Sequence, residues 1–82
     1  MTSPNVNESE SQQIETIEKE IDTFRNEQAA AQVKAKELLL REDPARGITF
    51  HEDIFRLQQD KLRLDTEIQI LQVKLRRLKS TW

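Results

Sequence analysis

Apolar residues recur at alternating steps of three and four in two separate stretches of this chain, and neither stretch contains glycine or proline. This spacing is that of the a and d positions of a heptad repeat, which form one stripe along a helix that packs against another helix. We call these positions the seam. The seam comprises Ile14, Ile17, Ile21, Phe24, Gln28, Ala31, Ala35 and Leu38, followed by Ile54, Leu57, Lys61, Leu64, Ile68, Leu71, Leu75, Leu78 and Trp82.

A short turn-like segment separates the two stretches. Pro44 disfavours helix at the residue before it, and Gly47 adopts left-handed backbone angles without strain. Thr49 and Glu52 then have the spacing of a capping box, in which the Thr49 hydroxyl accepts a hydrogen bond from the Glu52 amide. The predicted organisation is a polar flexible tail over residues 1–10, a helix over 11–42, a loop over 43–49 and a helix over 50–82. Residues 11–82 then form a single domain.

Folding the chain back at this loop pairs the two halves of the seam. Residues whose numbers add up to 92 meet, so that Leu38 lies opposite Ile54 and Ile14 lies opposite Leu78. The same arrangement brings opposite charges at the flanking positions together. The expected ion pairs are Arg25 with Asp65, Glu20 with Lys74, Lys34 with Asp60, and Arg41 with Asp53. The sequence therefore predicts an all-α fold, an antiparallel two-helix coiled-coil hairpin.

Several large apolar residues lie outside the seam. Phe55, Leu62 and Val73 follow one line of the second helix, and Val33 and Leu40 follow a line of the first. Two paired helices bury little, so their core roughly balances the cost of ordering the chain. We interpret these five residues as a partner face, through which the hairpin assembles into a four-helix bundle or with partner helices. Scattered apolar surface residues are the alternative interpretation.

Residue types that carry chemistry are scarce in this sequence. It has no Cys, one Gly and one His, which excludes thiolate metal sites, disulfides, cysteine nucleophiles and glycine-rich phosphate loops. His51 lies at a helix start, and a two-helix rod offers it neither converging metal ligands nor an enclosed pocket. We therefore predict no enzyme, with no catalytic, cofactor-binding or metal-binding residues and no small-molecule substrate.

One basic cluster bears on the choice of partner. It consists of Lys74, Arg76, Arg77 and Lys79, a composition that suits contact with phosphates or another anionic surface. The net charge of −2 argues against this role, and so does the absence of interleaved aromatic residues for base stacking. The predicted function is a protein–protein interaction module, a small subunit, adaptor or oligomeric scaffold that acts by coiled-coil contacts with itself or a helical partner. Nucleic-acid or chromatin-surface binding is the alternative.

The sequence also bears on location. No apolar run reaches the roughly 18 residues that a membrane-spanning helix needs. The first residues lack the basic and apolar regions of a signal peptide. We therefore expect no membrane span and an intracellular protein, without a preference between cytoplasm and nucleus.

Overall fold

A computed structural model describes the backbone of residues 3–80 and the side chains of residues 9–80. Helix α1 spans Ser3–Arg41 and helix α2 spans His51–Ser80, and a short connection with one 3-10 turn at Pro44–Arg46 joins them. The two helices pack against each other to form a rod of 72 × 14 × 13 Å. The predicted all-α helical hairpin is confirmed.

Helix α1 begins at Ser3, whereas the sequence predicted a tail up to residue 10. Pro4 fits the first turn of a helix, because its fixed φ is helical and its missing N–H would have no partner there. The polar residues that follow are compatible with a solvated helix. In the predicted pairing residue 12 lies opposite residue 80, so residues 3–11 extend beyond the described end of α2. Trp82, the last predicted seam position, lies outside the described residues.

The seam forms the interior of the hairpin. Every seam position from Ile14 to Leu38 and from Ile54 to Leu78 is buried or half-buried. The most buried side chains are Ile14, Ile21, Ala31, Leu64, Ile68 and Leu71. Ile21, Ile68 and Leu71 form a cluster against which Ile17, Phe24 and Leu75 pack. No described side chain is completely enclosed, so the core is thin along its whole length.

Two polar seam positions interact across the helix pair. The Gln28 side-chain Nε2 donates a hydrogen bond of 3.0 Å to the backbone carbonyl of Lys61. Lys61 is half-buried, and the pairing places it opposite the small Ala31. Because this hydrogen bond joins one side chain of α1 to one carbonyl of α2, it favours a single register of the two helices.

The connection between the helices is closed by its own backbone. Asp43 and Ile48 exchange two backbone hydrogen bonds, of 2.8 and 3.0 Å. Gly47 has φ 75°, the left-handed conformation that the sequence predicted for it. The Arg46 guanidinium lies 3.4 Å from the Asp43 carboxylate. The connection is therefore a compact turn in which backbone groups are largely satisfied.

Glu42, and not Thr49, caps the start of α2. The Phe50 amide donates a hydrogen bond of 2.9 Å to Glu42 Oε2, and the Glu42 side chain is only 12% exposed. His51 Nδ1 lies 3.7 Å from the same oxygen. Thr49 makes no side-chain hydrogen bond within the described residues, so the predicted capping box is wrong. The Asp43–Ile48 bridge explains the difference, because it brings the end of α1 beside the start of α2.

Removing the Glu42 carboxylate should destabilise the hairpin more than removing the Thr49 hydroxyl. We expect Glu42→Ala to lower the free energy of unfolding by about 1 kcal/mol, a typical cost of losing a helix cap. Thr49→Ala should change it by less than about 0.5 kcal/mol. Urea unfolding followed by circular dichroism measures both. Equal losses in the two variants would show that Thr49 shares the capping role.

Candidate interaction face

The surface of the hairpin carries open grooves. One groove, of about 600 Å³, lies near the open end of the hairpin, where Lys74 and Arg77 flank Ile17 and Leu78. Over the described part of the chain, no group of His, Asp or Glu side chains is arranged to hold a metal ion. His51 is exposed, and the carboxylate that its ring approaches among the described residues is that of Glu42.

The large apolar residues outside the seam are exposed, and most of them lie in the half of the hairpin next to the loop. Leu40 is 85% exposed, and Phe55 and Leu62 are 62% and 63% exposed. The full set is Val33, Leu39, Leu40, Ile48, Phe55, Leu62, Ile70 and Val73. This set contains all five residues of the predicted partner face and adds Leu39, Ile48 and Ile70.

The remaining surface of a heptad hairpin divides into two sides. Positions e and b of both helices lie on one side, and positions g and c lie on the other. Lys34, Asp53 and Asp60, all at g positions, line one groove together. Glu18 and Lys79, both at e positions, approach within 3.4 Å across the opposite side. The contacts in the structure therefore agree with this division.

Near the loop, one side is almost entirely charged. Over residues 27–41 and 51–63, the g and c positions hold four acids and four bases, with Ala30 as the exception. We call this the charged side. It consists of Glu27, Lys34, Glu37, Arg41, Asp53, Arg56, Asp60 and Arg63. Its charges sum to zero, as in an ordinary solvated surface of mixed sign.

The opposite side of the same stretch carries a single full charge, that of Lys36. We call this the apolar side. It consists of Ala29, Gln32, Lys36 and Leu39 of α1 and His51, Phe55, Gln58 and Leu62 of α2. The f positions, which lie at the outer border between the two sides, hold Val33 and Leu40 on α1 and Glu52 and Gln59 on α2. The seam positions that flank this side are Gln28, Ala35, Ile54 and Lys61, and all four are only half-buried. Apolar and charged residues are thus segregated to different sides of the rod.

The structure gathers part of the predicted partner face. Val33, Leu40, Phe55 and Leu62 lie in the half next to the loop. Val73 lies eleven residues beyond Leu62 on α2, about 16 Å further along the helix. It therefore lies outside the apolar side. The sequence interpretation missed Leu39. This residue is the middle one of three consecutive leucines, so it does not stand out by a helical spacing from other apolar residues.

The expected interhelical ion pairs do not form. Among the described residues, the carboxylates and cations of the four predicted pairs are more than 4.0 Å apart. Exposed ion pairs contribute only about 0–1 kcal/mol and require two long side chains to be ordered. The interhelical ion pair that forms instead is Lys79 with Glu18, at 3.4 Å.

The basic cluster is divided between the two sides of the hairpin. Lys74 and Arg77 occupy g and c positions and line the groove at the open end. Arg76 and Lys79 occupy b and e positions on the opposite side, and Lys79 is paired with Glu18. The four cations therefore do not form one continuous patch.

Two further findings complete the description of this surface. Neither helix, over its described length, combines the length and apolar character that crossing a membrane requires. Comparison with protein-family models, with curated proteins and with solved structures finds no match for this chain.

Proposed function

We propose that the chain is a non-catalytic protein–protein interaction module, a small helical-hairpin subunit, adaptor or oligomeric scaffold inside the cell. It binds its partner through the apolar side. The observation that carries this proposal is the segregation of exposed apolar residues to one side and of charges to the other, over the same stretch of both helices.

The ordinary occurrence of apolar residues on protein surfaces does not account for this segregation. Isolated apolar residues on a surface are normal, and they need no explanation when they are scattered. Leu39, Phe55 and Leu62 instead lie on one side together and remain mostly exposed. Burying such a side chain stabilises a complex by about 1.5–3 kcal/mol. Several exposed large apolar residues on one side of a rod are typical of a contact with another protein.

The seam next to the loop supports the same proposal. The buried cluster of Ile21, Ile68 and Leu71 lies further from the loop, and Ala31 and Leu64 are the buried seam residues nearest to it. From there to the loop, the seam residues, including the small Ala35 and Ile54, are only half-buried. The same stretch exposes several large apolar side chains outside the seam. A partner that packs on the apolar side would complete its core.

Binding of nucleic acid is the alternative function, and the basic cluster is the feature that favours it. Lys74 and Arg77 have no ion-pair partner within 4.0 Å among the described residues. Two cations would make only a weak phosphate contact, because the affinity and its salt dependence both grow with the number of phosphates neutralised. The division of the cluster between two sides makes this alternative less well supported than the apolar side.

The experiment that tests the proposal replaces two exposed apolar residues by charges. Phe55→Glu combined with Leu62→Glu should remove most association with any bound protein, because each residue is an exposed anchor of the apolar side. Tagged chains expressed in the source cells and compared by quantitative mass spectrometry measure the loss, which we expect to exceed about tenfold.

The matched control is Gln59→Glu combined with Thr66→Glu. These residues have the same spacing of seven and give the same change in charge, but they lie on the outer edge of α2. The control should retain the bound proteins that the wild-type chain retains. If the apolar-side variant retains the same proteins at the same level, the apolar side is ordinary surface and the proposal is wrong.

A further inference from the structure

We propose that the partner of the apolar side is a second copy of this chain. The two hairpins pack their apolar sides against each other and form a four-helix bundle around their loop-proximal halves. This inference rests on the proposed function and names the partner at the same surface. Two copies related by a two-fold axis use the same surface on both chains, so that surface must be compatible with itself.

The charges of the apolar side meet this requirement. Lys36 is its single full charge, so two copies meet without opposing rows of like charge. A partner recognised by charge would instead find few groups to pair with on this side. The charged side, with its four acids and four bases, stays in contact with water. The charge distribution therefore favours a partner surface that is itself apolar and uncharged.

The glutamines of the apolar side are compatible with the same contact. Gln32 of α1 and Gln58 of α2 both occupy e positions within this side. A glutamine amide carries both hydrogen-bond donors and an acceptor, so a glutamine of one copy can donate to and accept from a glutamine of the other. The small Ala29 allows close approach of the helices. Ala35 and Ile54, half-buried in one chain, become covered by the second.

The exposed apolar side chains of the single chain also agree with a dimer. Leu39, Phe55 and Leu62 are between 59% and 63% exposed, so a second hairpin packed on this side buries large apolar side chains of both copies.

The first measurement is the mass of the purified chain in solution. Sedimentation equilibrium between about 1 and 100 µM detects a dimer whose dissociation constant is micromolar or lower. We expect twice the mass of one 9.7 kDa chain. A single-chain mass throughout this range overturns the proposal.

The second measurement locates the interface by thiol labelling, which the absence of native cysteine makes specific. Gln58→Cys places a thiol on the apolar side, and Arg56→Cys places one on the charged side two residues away. Both positions are exposed in the single chain. In the dimer, a thiol-specific reagent should label Gln58→Cys at least about tenfold more slowly than Arg56→Cys. The thiol at position 58 is covered by the second copy, so the dimer must dissociate before this thiol reacts. Equal rates, or slower labelling of Arg56→Cys, overturn the proposal.

Failure of this inference and failure of the proposed function give different results. If the purified chain is a monomer but captures another protein that the Phe55→Glu, Leu62→Glu variant loses, the apolar side is an interaction face for a different partner. If the chain is a monomer and the variant loses nothing, both proposals are wrong. Misfolding of a variant does not affect these two measurements. The mass is measured on the wild-type chain, and the cysteine substitutions are at exposed positions outside the core.

Discussion

Replacing Ile68 by alanine should abolish the cooperative unfolding transition of the hairpin at ordinary temperature. Ile68 is 5% exposed and forms the central cluster with Ile21 and Leu71. Truncating a buried isoleucine costs about 2–5 kcal/mol. A core of this size rarely supplies more than about 3–5 kcal/mol in total. Thermal unfolding followed by circular dichroism should therefore show a gradual loss of helix in the variant.

The matched control is Ile70→Ala, the same truncation two residues along the same helix. Ile70 is 48% exposed, so its replacement should change the free energy of unfolding by less than about 0.5 kcal/mol. Equal losses in the two variants would mean that burial in the seam does not set the stability of the hairpin.

Replacing Lys61 by leucine should have the opposite effect and raise the melting temperature. Lys61 is half-buried in the seam, and within the described residues its ammonium has no ion-pair partner within 4.0 Å. Leucine at this position adds apolar burial worth about 1–2 kcal/mol. Each kcal/mol raises the melting temperature of a domain of this size by about 4–8 °C. The hydrogen bond from Gln28 is retained, because it ends on the backbone carbonyl.

Lys19→Leu is the control for this gain. Lys19 is exposed on the outer edge of α1, and lysine and leucine have nearly equal helix propensities, so the control should leave the melting temperature unchanged. Polar seam residues also restrict the number of helices that associate. The Lys61→Leu chain should accordingly sediment as a mixture of masses. A clear fall in its melting temperature would instead show that the ammonium makes a stabilising contact.

The two helices and their pairing could be predicted because they depend on residue spacing alone. The burial of Leu64, Ile68 and Leu71 follows from their alternation by three and four, whatever the rest of the chain does. The cap at Glu42 depends instead on the path of the turn between Asp43 and Ile48. A local pattern such as that of Thr49 and Glu52 contains no information about that path. The start of α1 was misjudged for another reason, because polar composition predicts exposure to solvent and not the absence of helix.

The candidate face could be predicted in part. Val33, Leu40, Phe55 and Leu62 are recognisable as apolar residues outside the seam. The position of Phe55 and Leu62 on one side, with Val33 and Leu40 at its border, becomes visible only when both helices are divided into sides with a fixed register. The predicted ion pairs did not form. Opposite heptad positions bring two charged residues within reach of each other, but the attraction between exposed charges is too weak to hold two long side chains in one geometry.

The capped turn has a consequence for how tightly the loop-proximal half binds. Glu42, Asp43 and Ile48 fix the connection through hydrogen bonds of 2.8 to 3.0 Å, and they hold both helices at the end where the apolar side lies. Leu39 and Phe55 are therefore held on helices whose relative position the turn restricts. Ordering a flexible segment on binding lowers affinity, whereas a preorganised surface avoids most of that entropic cost. The contact that we propose for the apolar side should therefore be stronger than a contact of the same area made by a mobile loop.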